Sequence, residues 1–376
     1  MRDVLEQLRH WWDQGAEVGL ATVVATWSSA PRQPGASMLV GPDGSAAGSV
    51  SGGCVEGAVY ELATEVRTGG TPVLQRYGVS DDDAFAVGLT CGGIIDLFVE
   101  RISPASFPEF GELADDIRDG RPVAVATVVQ APPELLGRRL VIRPDAVSGD
   151  LLAGGSRRLV DALRDDARGL LVQGRTAVLH YGQDGERRVD DIAVFVASYA
   201  PRPRMIVFGA IDFASAVARI GSFLGYRVTV CDARPIFATR QRFPDADEVI
   251  VEWPHRYLAG TETDERTVIC LLTHDPKFDV PLLELALRMP LAYVGAMGSR
   301  RTNDDRLQRL RELGLTEAEL ARLHAPIGLD IGARTPEETA VSVAAEIIAA
   351  RWGGSGRPLR SADGPIHTAA APEPAR

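Results

Sequence analysis

The sequence predicts an α/β protein in which an N-terminal duplicated α+β domain precedes a Rossmann-like, doubly wound parallel sheet. Two observations predict this fold class. Short motifs of residues 1–103 recur in residues 104–200. Residues 203–352 alternate apolar strand-like runs with helical segments, which is typical of a parallel sheet. The length of 376 residues suits two or three domains, and the hydrophobic content of 45% supplies sizeable cores.

The first predicted domain covers residues 1–103. It opens with a short amphipathic helix that lacks the apolar core of a signal peptide. A second helix follows Gly52, because apolar residues recur at helical spacing over residues 55–66, and the Gly69–Gly70 pair ends it. Strands are expected at four apolar runs, residues 18–26, 37–40, 73–77 and 94–100.

The second predicted domain, residues 104–200, is a degenerate copy of the first. The string ATVV at residues 21–24 recurs at residues 126–129. Cys54 becomes Ser156, and the string CGG of the first copy has no counterpart. If both copies share one frame, the thiols do not hold it together, so they need a function that belongs to the first copy.

A Rossmann-like domain is predicted for residues 203–352. Its last helix carries a strong start signal, since Thr335 suits the N-cap, Pro336 suits the first helical position and Glu338 completes a capping box. A disordered tail is expected for residues 353–376, which are rich in glycine, proline and alanine.

The composition excludes several classes of function. The net charge of −11 argues against nucleic acid or an anionic membrane as the main partner. The four cysteines form no CxxC pair, so neither a structural zinc site nor a secreted disulfide framework is expected. No apolar run approaches the roughly 18 residues that a membrane span needs. A cytoplasmic protein with reduced thiols is therefore expected.

The motif SGGCVE is the sharpest local signal for chemistry. Gly52 and Gly53 permit close backbone approaches, and the helix that follows directs N–H groups and partial positive charge at what lies in front. At that position Cys54 is expected to have a lowered thiol pKa, as a nucleophile or soft-metal ligand. Glu56 is expected to accept protons or to hold a hydrogen bond. The alternative is that Cys54 is a small buried residue in a tight loop.

The motif CGG supplies a second thiol beside glycines. Cys91, Gly92 and Gly93 stand directly before a strand in the same domain, so Cys91 and Cys54 are interpreted as two sides of one site. Such a site suits thiolate chemistry or a soft metal, and a redox disulfide is the variant left open. The other cysteines, Cys231 and Cys270, lie in apolar strands and are expected in the core.

The Rossmann domain contains a turn at the position of a dinucleotide-binding loop, but the glycine pattern of such loops is incomplete. Gly209 follows a strand and Asp232 ends the next strand, the layout in which an acid binds a ribose hydroxyl. Ile211 stands where a glycine lets the backbone approach a pyrophosphate, and Asp212 adds negative charge there. The fold is therefore expected, and NAD(P) or flavin binding is not favoured.

Two further loops follow strands, at the edge where such sheets bind ligands. In the first loop, His274, Asp275 and Lys277 are candidates to bind or protonate a ligand, and ordinary loop polarity is the alternative. In the second, the string GSRR contains Gly298 and Ser299, followed by two arginines for an anion, Arg300 and Arg301. The alternative for Arg301 is that it only covers a helix end.

Taken together, these motifs resemble the XdhC/CoxI family of xanthine dehydrogenase and carbon monoxide dehydrogenase accessory proteins. The resemblance rests on SGGCVE, CGG, THD with its nearby lysine, YVGAMGSRR and HAPIGLDIGARTPEE, and it covers about residues 15–352. It implies a maturation factor rather than an enzyme with its own turnover. Such a factor binds the molybdenum cofactor (molybdopterin) transiently, assists its sulfuration with a cysteine desulfurase and inserts it into a molybdenum hydroxylase.

Carried over residue by residue, the resemblance places Cys54 and Cys91 on the family's thiol motifs. The residues themselves extend this to a hypothesis about the site. Cys54, Cys91 and Glu56 carry the chemistry, and Cys54 lies nearest the metal. The expected cofactor site lies between the N-terminal domain and the carboxyl edge of the Rossmann sheet. Its binding residues are Gly52, Gly53, Gly92, Gly93, Gly209, Asp232, His274, Asp275, Lys277, Gly298, Ser299 and Arg300.

Two rival classes stay open from the sequence. One is an NAD(P)- or flavin-dependent oxidoreductase, which the Rossmann layout favours and Ile211 and Asp212 oppose. The other is a thiol redox switch or a scaffold that acts through partner binding. A homodimer also stays open.

Overall fold

A computed structural model of the chain describes most of its length in two compact units. One lies within Met1–Pro201 and the other within Arg202–Ala362. The described residues are 1–27, 32–78, 93–151, 156–187 and 189–361.

The first half of the N-terminal unit is a five-stranded antiparallel sheet with the order β3-β2-β1-β5-β4. The predicted amphipathic helix forms α1, Leu5–Asp13, and the predicted helix after SGGC forms α2, Glu56–Gly69. The strands are β1 Val18–Trp27, β2 Ser37–Val40, β3 Ala46–Gly48, β4 Val73–Tyr77 and β5 Ile94–Ile102.

The second half repeats this sheet, in the order β8-β7-β6-β10-β9. Position by position, the order is the same as in the first half, which confirms the predicted duplication. The described residues of this half include the helices α3 Phe110–Asp119 and α4 Arg157–Gln173. The strands are β6 Val123–Gln130, β7 Arg139–Ile142, β8 Val147–Ser148, β9 Ala177–Tyr181 and β10 Ile192–Tyr199.

The two halves share one hydrophobic core. Leu20 and Phe98 of the first sheet belong to the same buried cluster as Val125 and Phe195 of the second. Residues 1–103 and 104–200, expected from the sequence as successive domains, therefore form one compact unit.

The helix α2 packs closely on its sheet through small residues. Its apolar stripe buries Val59, Ala63 and Val66, as the helical spacing predicts. Gly19 of β1 lies directly under the helix, because a side chain there would meet the carbonyl oxygen of Ala63. The helix ends at Gly70, whose φ of +79° is the left-handed conformation that glycine favours.

The starts of α2 and α4 are capped differently in the two copies. Ser156 is the N-cap of α4, and its hydroxyl accepts the Leu159 N–H at 3.2 Å. The N-cap of α2 is Val55, which has no side-chain acceptor. In α2 the capping acceptors come instead from nearby residues, Ser51 and Glu56.

The C-terminal unit is a six-stranded parallel sheet with the order β13-β12-β11-β14-β15-β16. This is the doubly wound order predicted from the alternation, and it reverses between β11 and β14. The strands are β11 Arg204–Phe208, β12 Arg227–Asp232, β13 Glu248–Val251, β14 Val268–Leu271, β15 Tyr293–Ala296 and β16 Leu323–His324.

Helices cover the sheet and bury a separate apolar cluster on each of its faces. They are α5 Asp212–Phe223, α6 Pro254–Gly260, α7 Pro276–Ala286, α8 Arg300–Glu312, α9 Glu317–Leu320 and α10 Pro336–Trp352. The predicted capping box at Thr335 and Glu338 is present. Among the described helices, none is long and apolar enough to cross a bilayer.

The expected disordered tail, residues 353–376, lies partly outside the described residues. The described part continues from Gly353, which ends α10 in a left-handed conformation, to residue 361. It is exposed and includes one short turn of 3₁₀-helix, Leu359–Ser361.

Candidate functional site

The SGGCVE motif forms a turn between β3 and α2. Gly52 has a φ of +76° and Gly53 a φ of +120°, so both positions need the conformational freedom of glycine. No atom lies within 4 Å of where a Cβ would stand on either residue, which leaves that side of the turn open. Cys54 follows at the end of the turn and is half-buried.

A carboxylate holds this turn in shape. One oxygen of Glu56 accepts the Ser49 hydroxyl at 2.7 Å and the Ser51 N–H at 2.9 Å. The other oxygen accepts the Gly53 N–H at 2.8 Å and the Ser51 hydroxyl. Partial burial favours the neutral acid, but the bonds from Ser51 and Ser49 outweigh it and lower the pKa of Glu56 to about 2.

The role of Glu56 in the structure is therefore to accept hydrogen bonds. Both roles, proton acceptor and hydrogen-bond partner, were expected from the sequence. A carboxylate with a pKa of about 2 is a weak base near neutral pH. We therefore treat Glu56 as a positioning residue for the turn that presents Cys54.

The backbone N–H groups of this turn already have acceptors within the chain. The Ser51 hydroxyl accepts the N–H groups of Cys54 at 2.9 Å and Val55 at 3.1 Å, and the Ser49 hydroxyl accepts that of Gly52 at 3.0 Å. The sequence suggested that the glycine doublet and helix start offer free N–H groups to an anion. Here the donors are used to fix the turn, so the motif supplies rigidity around the thiol.

The CGG motif is described only in its last residue. Cys91 and Gly92 lie outside the described residues, so the expected meeting of Cys54 and Cys91 stays a prediction. Gly93 is buried and leads into β5. Because β2 and β5 run antiparallel to β1, and β3 antiparallel to β2, β3 ends and β5 begins at the same end of the sheet. The turn before Cys54 and Gly93 therefore lie at that end.

The remaining cysteines lie in the core of the C-terminal unit, as expected. Cys231 and Cys270 are fully buried in strands of the parallel sheet. Burial raises the pKa of each thiol to about 12, so neither is a thiolate near neutral pH.

An ion pair within the chain occupies the position in the Rossmann sheet where a dinucleotide would bind. The Asp232 carboxylate accepts the Ala210 N–H at 2.7 Å and two guanidinium bonds from Arg234, at 2.9 and 2.8 Å. Burial opposes ionisation, but the Arg234 and N–H bonds lower the pKa of Asp232 overall. The oxygens expected to bind a ribose are therefore occupied by Arg234.

The start of the first helix of this domain also differs from that of a dinucleotide-binding site. Ile211 is the N-cap of α5 without a side-chain acceptor, and Asp212 stands exposed in its first turn. Asp212 pairs with Arg242 at 3.1 Å. Gly209 keeps a role in packing, because a Cβ on it would stand 2.6 Å from the Cγ2 of Thr273.

The THD loop lies at the same edge of the sheet, next to the Gly209 turn. Asp275 caps α7 by accepting the Lys277 N–H at 3.1 Å, and it pairs with the Lys277 ammonium at 3.0 Å. The negative charge of Asp275 also acts on Arg234 of the neighbouring loop. His274 is exposed beside them. The structure thus brings most of the Rossmann candidates to the carboxyl edge, with Asp275 and Lys277 paired to each other.

A buried chain of polar groups supports this edge, and the sequence did not single it out. Thr273 donates its hydroxyl to Asp279 at 2.5 Å, and Arg306 donates to the other oxygen of Asp279 at 2.7 Å. Arg306 also donates to the Met297 carbonyl at 3.0 Å, beside Gly298. The signal for Arg306 was its place four residues before the buried Leu310, on the face of α8 that packs inward.

The remaining candidate binding residues lie at the start of helix α8. The Ser299 hydroxyl caps it by accepting the Thr302 N–H at 3.1 Å, and Arg300 and Arg301 follow with exposed side chains. Within the described ranges, no group of three or more His, Cys, Asp or Glu residues is arranged to hold a metal ion.

Both units match known protein families. Residues 205–347 match the family described as the XdhC Rossmann domain. Residues 11–78 and 116–182, one stretch in each copy of the duplicated frame, match the XdhC and CoxI family.

Two curated relatives align over most of the chain. A probable xanthine dehydrogenase subunit of Bacillus subtilis (strain 168) is 29% identical over 340 residues, which is 89% of this chain and 93% of the relative. The "Molybdenum cofactor insertion chaperone PaoD" of Escherichia coli (strain K12) is 29% identical over 332 residues, or 88% of this chain and 83% of the relative.

A solved structure has the same fold. It is described as a xanthine dehydrogenase from Bacillus halodurans, with a TM-score of 0.65 and 24% identity, and the match covers 95% of this chain and 97% of that one. The family matches span both units and contain every motif that suggested the resemblance except CGG, residues 91–93, which lies between the matched stretches 11–78 and 116–182. The chain belongs to the XdhC and CoxI family, and its C-terminal unit is the family's Rossmann domain.

Proposed function

We propose that this chain binds the molybdenum cofactor as its cargo and inserts it into a molybdenum hydroxylase of the xanthine or carbon monoxide dehydrogenase type. The names of two relatives support the proposal, since one is a molybdenum cofactor insertion chaperone and the other a probable subunit of xanthine dehydrogenase. The finer part of the proposal is that the chain holds the cofactor transiently while a cysteine desulfurase supplies the sulfur for its sulfuration.

The observation that carries the proposal is the rigid turn that presents Cys54. Thiolates are soft ligands that suit a metal such as molybdenum bound to sulfur. A ligand held by Glu56 and Ser51 loses little conformational freedom when the cargo binds, which favours affinity. We therefore assign Cys54 to the metal end of the cargo, with Cys91 as the proposed second thiol.

The C-terminal unit is proposed, by itself, to bind the phosphate of the cargo at the carboxyl edge of its sheet. Arg300 and Arg301 supply positive charge there, and Ser299 orders the first turn of α8. The Asp232–Arg234 pair supports cargo binding over an NAD(P)- or flavin-dependent oxidoreductase, because a ribose would have to displace Arg234.

The proposal is tested by molybdenum and pterin analysis of the purified full chain. Wild type is compared with Cys54→Ala and with Cys54→Ser, which keeps a small polar group but removes the soft sulfur. Glu61→Gln, on the exposed side of α2, is the matched control. We expect wild type and the control to retain molybdenum and pterin, and both Cys54 variants to lose most of the metal.

A second readout addresses delivery. Activation of a molybdenum hydroxylase of this type by the loaded chain is expected to fall with Cys54→Ser while the melting temperature stays unchanged. Equal molybdenum content and equal activation in all four proteins would contradict the assignment of Cys54. For the sulfuration step, the measurement is the cyanide-labile sulfur of the delivered cofactor, with and without a cysteine desulfurase.

A further inference from the structure

The helix α10 carries an apolar stripe on its solvent side. Its inner side packs in the apolar cluster that it shares with α5. On the outer side, Val341 is 50% exposed, Ile348 44% and Trp352 63%. At about 100° per residue, these three side chains and the half-buried Ala345 lie within about 60° of the helix circumference, and together we call them the α10 stripe. Apolar side chains grouped in this way on a surface mark an interaction site.

The α10 stripe is complementary to itself when a second copy runs in the opposite direction. Val341 lies four residues before Ala345, and Ile348 lies three residues after it. In an antiparallel pair centred on Ala345, these two side chains stand about 6 and 4.5 Å from the centre along the axis, so Val341 of one copy faces Ile348 of the other. The small side chain of Ala345 lets the two helix axes approach toward the lower end of the usual range of about 8–10 Å.

The charges of α10 are complementary in the same arrangement. Glu337 is exposed in the first turn, and Arg351 is exposed in the last turn, with its guanidinium 4.9 Å from the Trp352 ring centre. At about 100° per residue, Glu337 and Arg351 lie on the same flank of the stripe, about 12 and 9 Å from Ala345 in opposite directions. A two-fold axis keeps each residue on its flank and reverses its direction along the helix. Glu337 of each copy therefore meets Arg351 of the other.

This self-complementarity favours a second copy of the chain over other occupants of the stripe. An isologous dimer needs one surface whose two halves match each other, whereas a surface for a different protein has no such requirement. The net charge of −11 disfavours an anionic membrane.

We propose that the chain forms a two-fold homodimer through an antiparallel pair of α10 helices. Val341 packs on Ile348 across the interface, Glu337 pairs with Arg351, and Ala345 lies at the axis. Trp352 covers each end of the apolar contact. The interface uses none of the residues assigned to the cargo, so the proposal does not rest on the proposed function.

The test is the molar mass of the full chain, from size-exclusion chromatography with light scattering over a range of micromolar concentrations. Val341→Glu introduces a carboxylate into the stripe. Val172→Glu makes the same change at an exposed position of another helix, α4, and is the matched control. Circular dichroism checks that each variant is folded.

Wild type and Val172→Glu are expected to have twice the mass of the chain. The dissociation constant of the dimer should rise at least about a hundredfold in Val341→Glu, because each dimer would bury two unpaired carboxylates. A monomeric wild type, or equally tight dimers of the two variants, would overturn the interface. If wild type is monomeric and only Val341→Glu loses activation of a molybdenum hydroxylase, the stripe binds that client instead.

Exchange of the charges tests the direction of the pairing. Glu337→Arg should weaken the dimer about tenfold, because the new arginine meets Arg351 in both halves of the interface. Glu337→Arg combined with Arg351→Glu restores opposite charges and should recover most of the loss. A double variant that dimerises no more tightly than the single one would exclude the antiparallel pairing. The same comparison decides the question if Val341→Glu fails to fold.

Discussion

The Glu56 carboxylate accepts the N–H of Gly53 at 2.8 Å, across the turn that presents Cys54. The two residues are close in sequence, and the bond fixes a backbone that only glycine adopts readily. The acid of SGGCVE therefore acts on the thiol through the backbone between them.

Replacing Glu56 by glutamine should destabilise the chain. The glutamine amide keeps one acceptor oxygen and turns an NH₂ group toward donors of Ser51 and Gly53. We expect the free energy of unfolding, from urea titration, to fall by about 1–3 kcal/mol. Glu61→Gln on the same helix should change it by less than about 0.5 kcal/mol. Equal losses in the two variants would show that the turn does not depend on the carboxylate.

The same carboxylate gives stability a defined pH dependence. Its pKa in the folded chain, about 2, lies below its ordinary value of 4.5, so its contribution is present above 4.5 and lost as pH falls toward 2. Over that range wild type should lose more free energy of unfolding than Glu56→Gln, which has no titrating group there. Parallel curves of stability against pH for the two proteins would contradict this expectation.

Thiol labelling should separate the cysteines. Iodoacetamide near pH 8 reacts with thiolates, and the buried Cys231 and Cys270 each have a pKa raised to about 12. We expect both to stay unmodified in the native chain and to react after unfolding in urea, whereas the half-buried Cys54 reacts in the native chain. Peptide mapping by mass spectrometry checks each site. Native labelling of Cys231 or Cys270 at the rate of Cys54 would contradict the placement.

The buried pair of Arg306 and Asp279 should be among the most sensitive positions of the C-terminal unit. Both side chains are 3% exposed, so Asp279→Ala leaves an uncompensated buried charge. The expected loss in free energy of unfolding is about 3–5 kcal/mol. Asp304→Ala, exposed on α8, should cost less than about 0.5 kcal/mol. A small loss for Asp279→Ala would mean that Arg306 finds another acceptor.

The fold was largely predictable because its signals are repeated along the chain. The recurring string ATVV marks β1 and β6, the equivalent central strands of the two antiparallel sheets. The alternation in residues 203–352 likewise gives the parallel sheet. What these patterns do not predict is that the two copies bury a common core, since apolar periodicity identifies a buried face but not its partner.

The sequence predicted which residue types lie at the candidate site better than it predicted what each residue does there. Asp232 has the spacing of a ribose-binding acid, but Arg234, two residues later, occupies its oxygens. Arg306 is one of several charged residues in α8, and only its alignment with Leu310 distinguishes it. Hydrogen bonds of this kind depend on side-chain direction, which spacing alone does not define.

The contrast between Ser156 and Cys54 separates the anchoring of a helix start from the presence of a thiol. Ser156 caps its helix with its own hydroxyl, whereas in the first repeat Ser51 and Glu56 supply the acceptors. Replacing Cys54 therefore leaves the acceptors of Ser51 and Glu56 in place. Because Cys54 also packs against the core under α2, a melting temperature measured on each variant separates lost chemistry from lost stability.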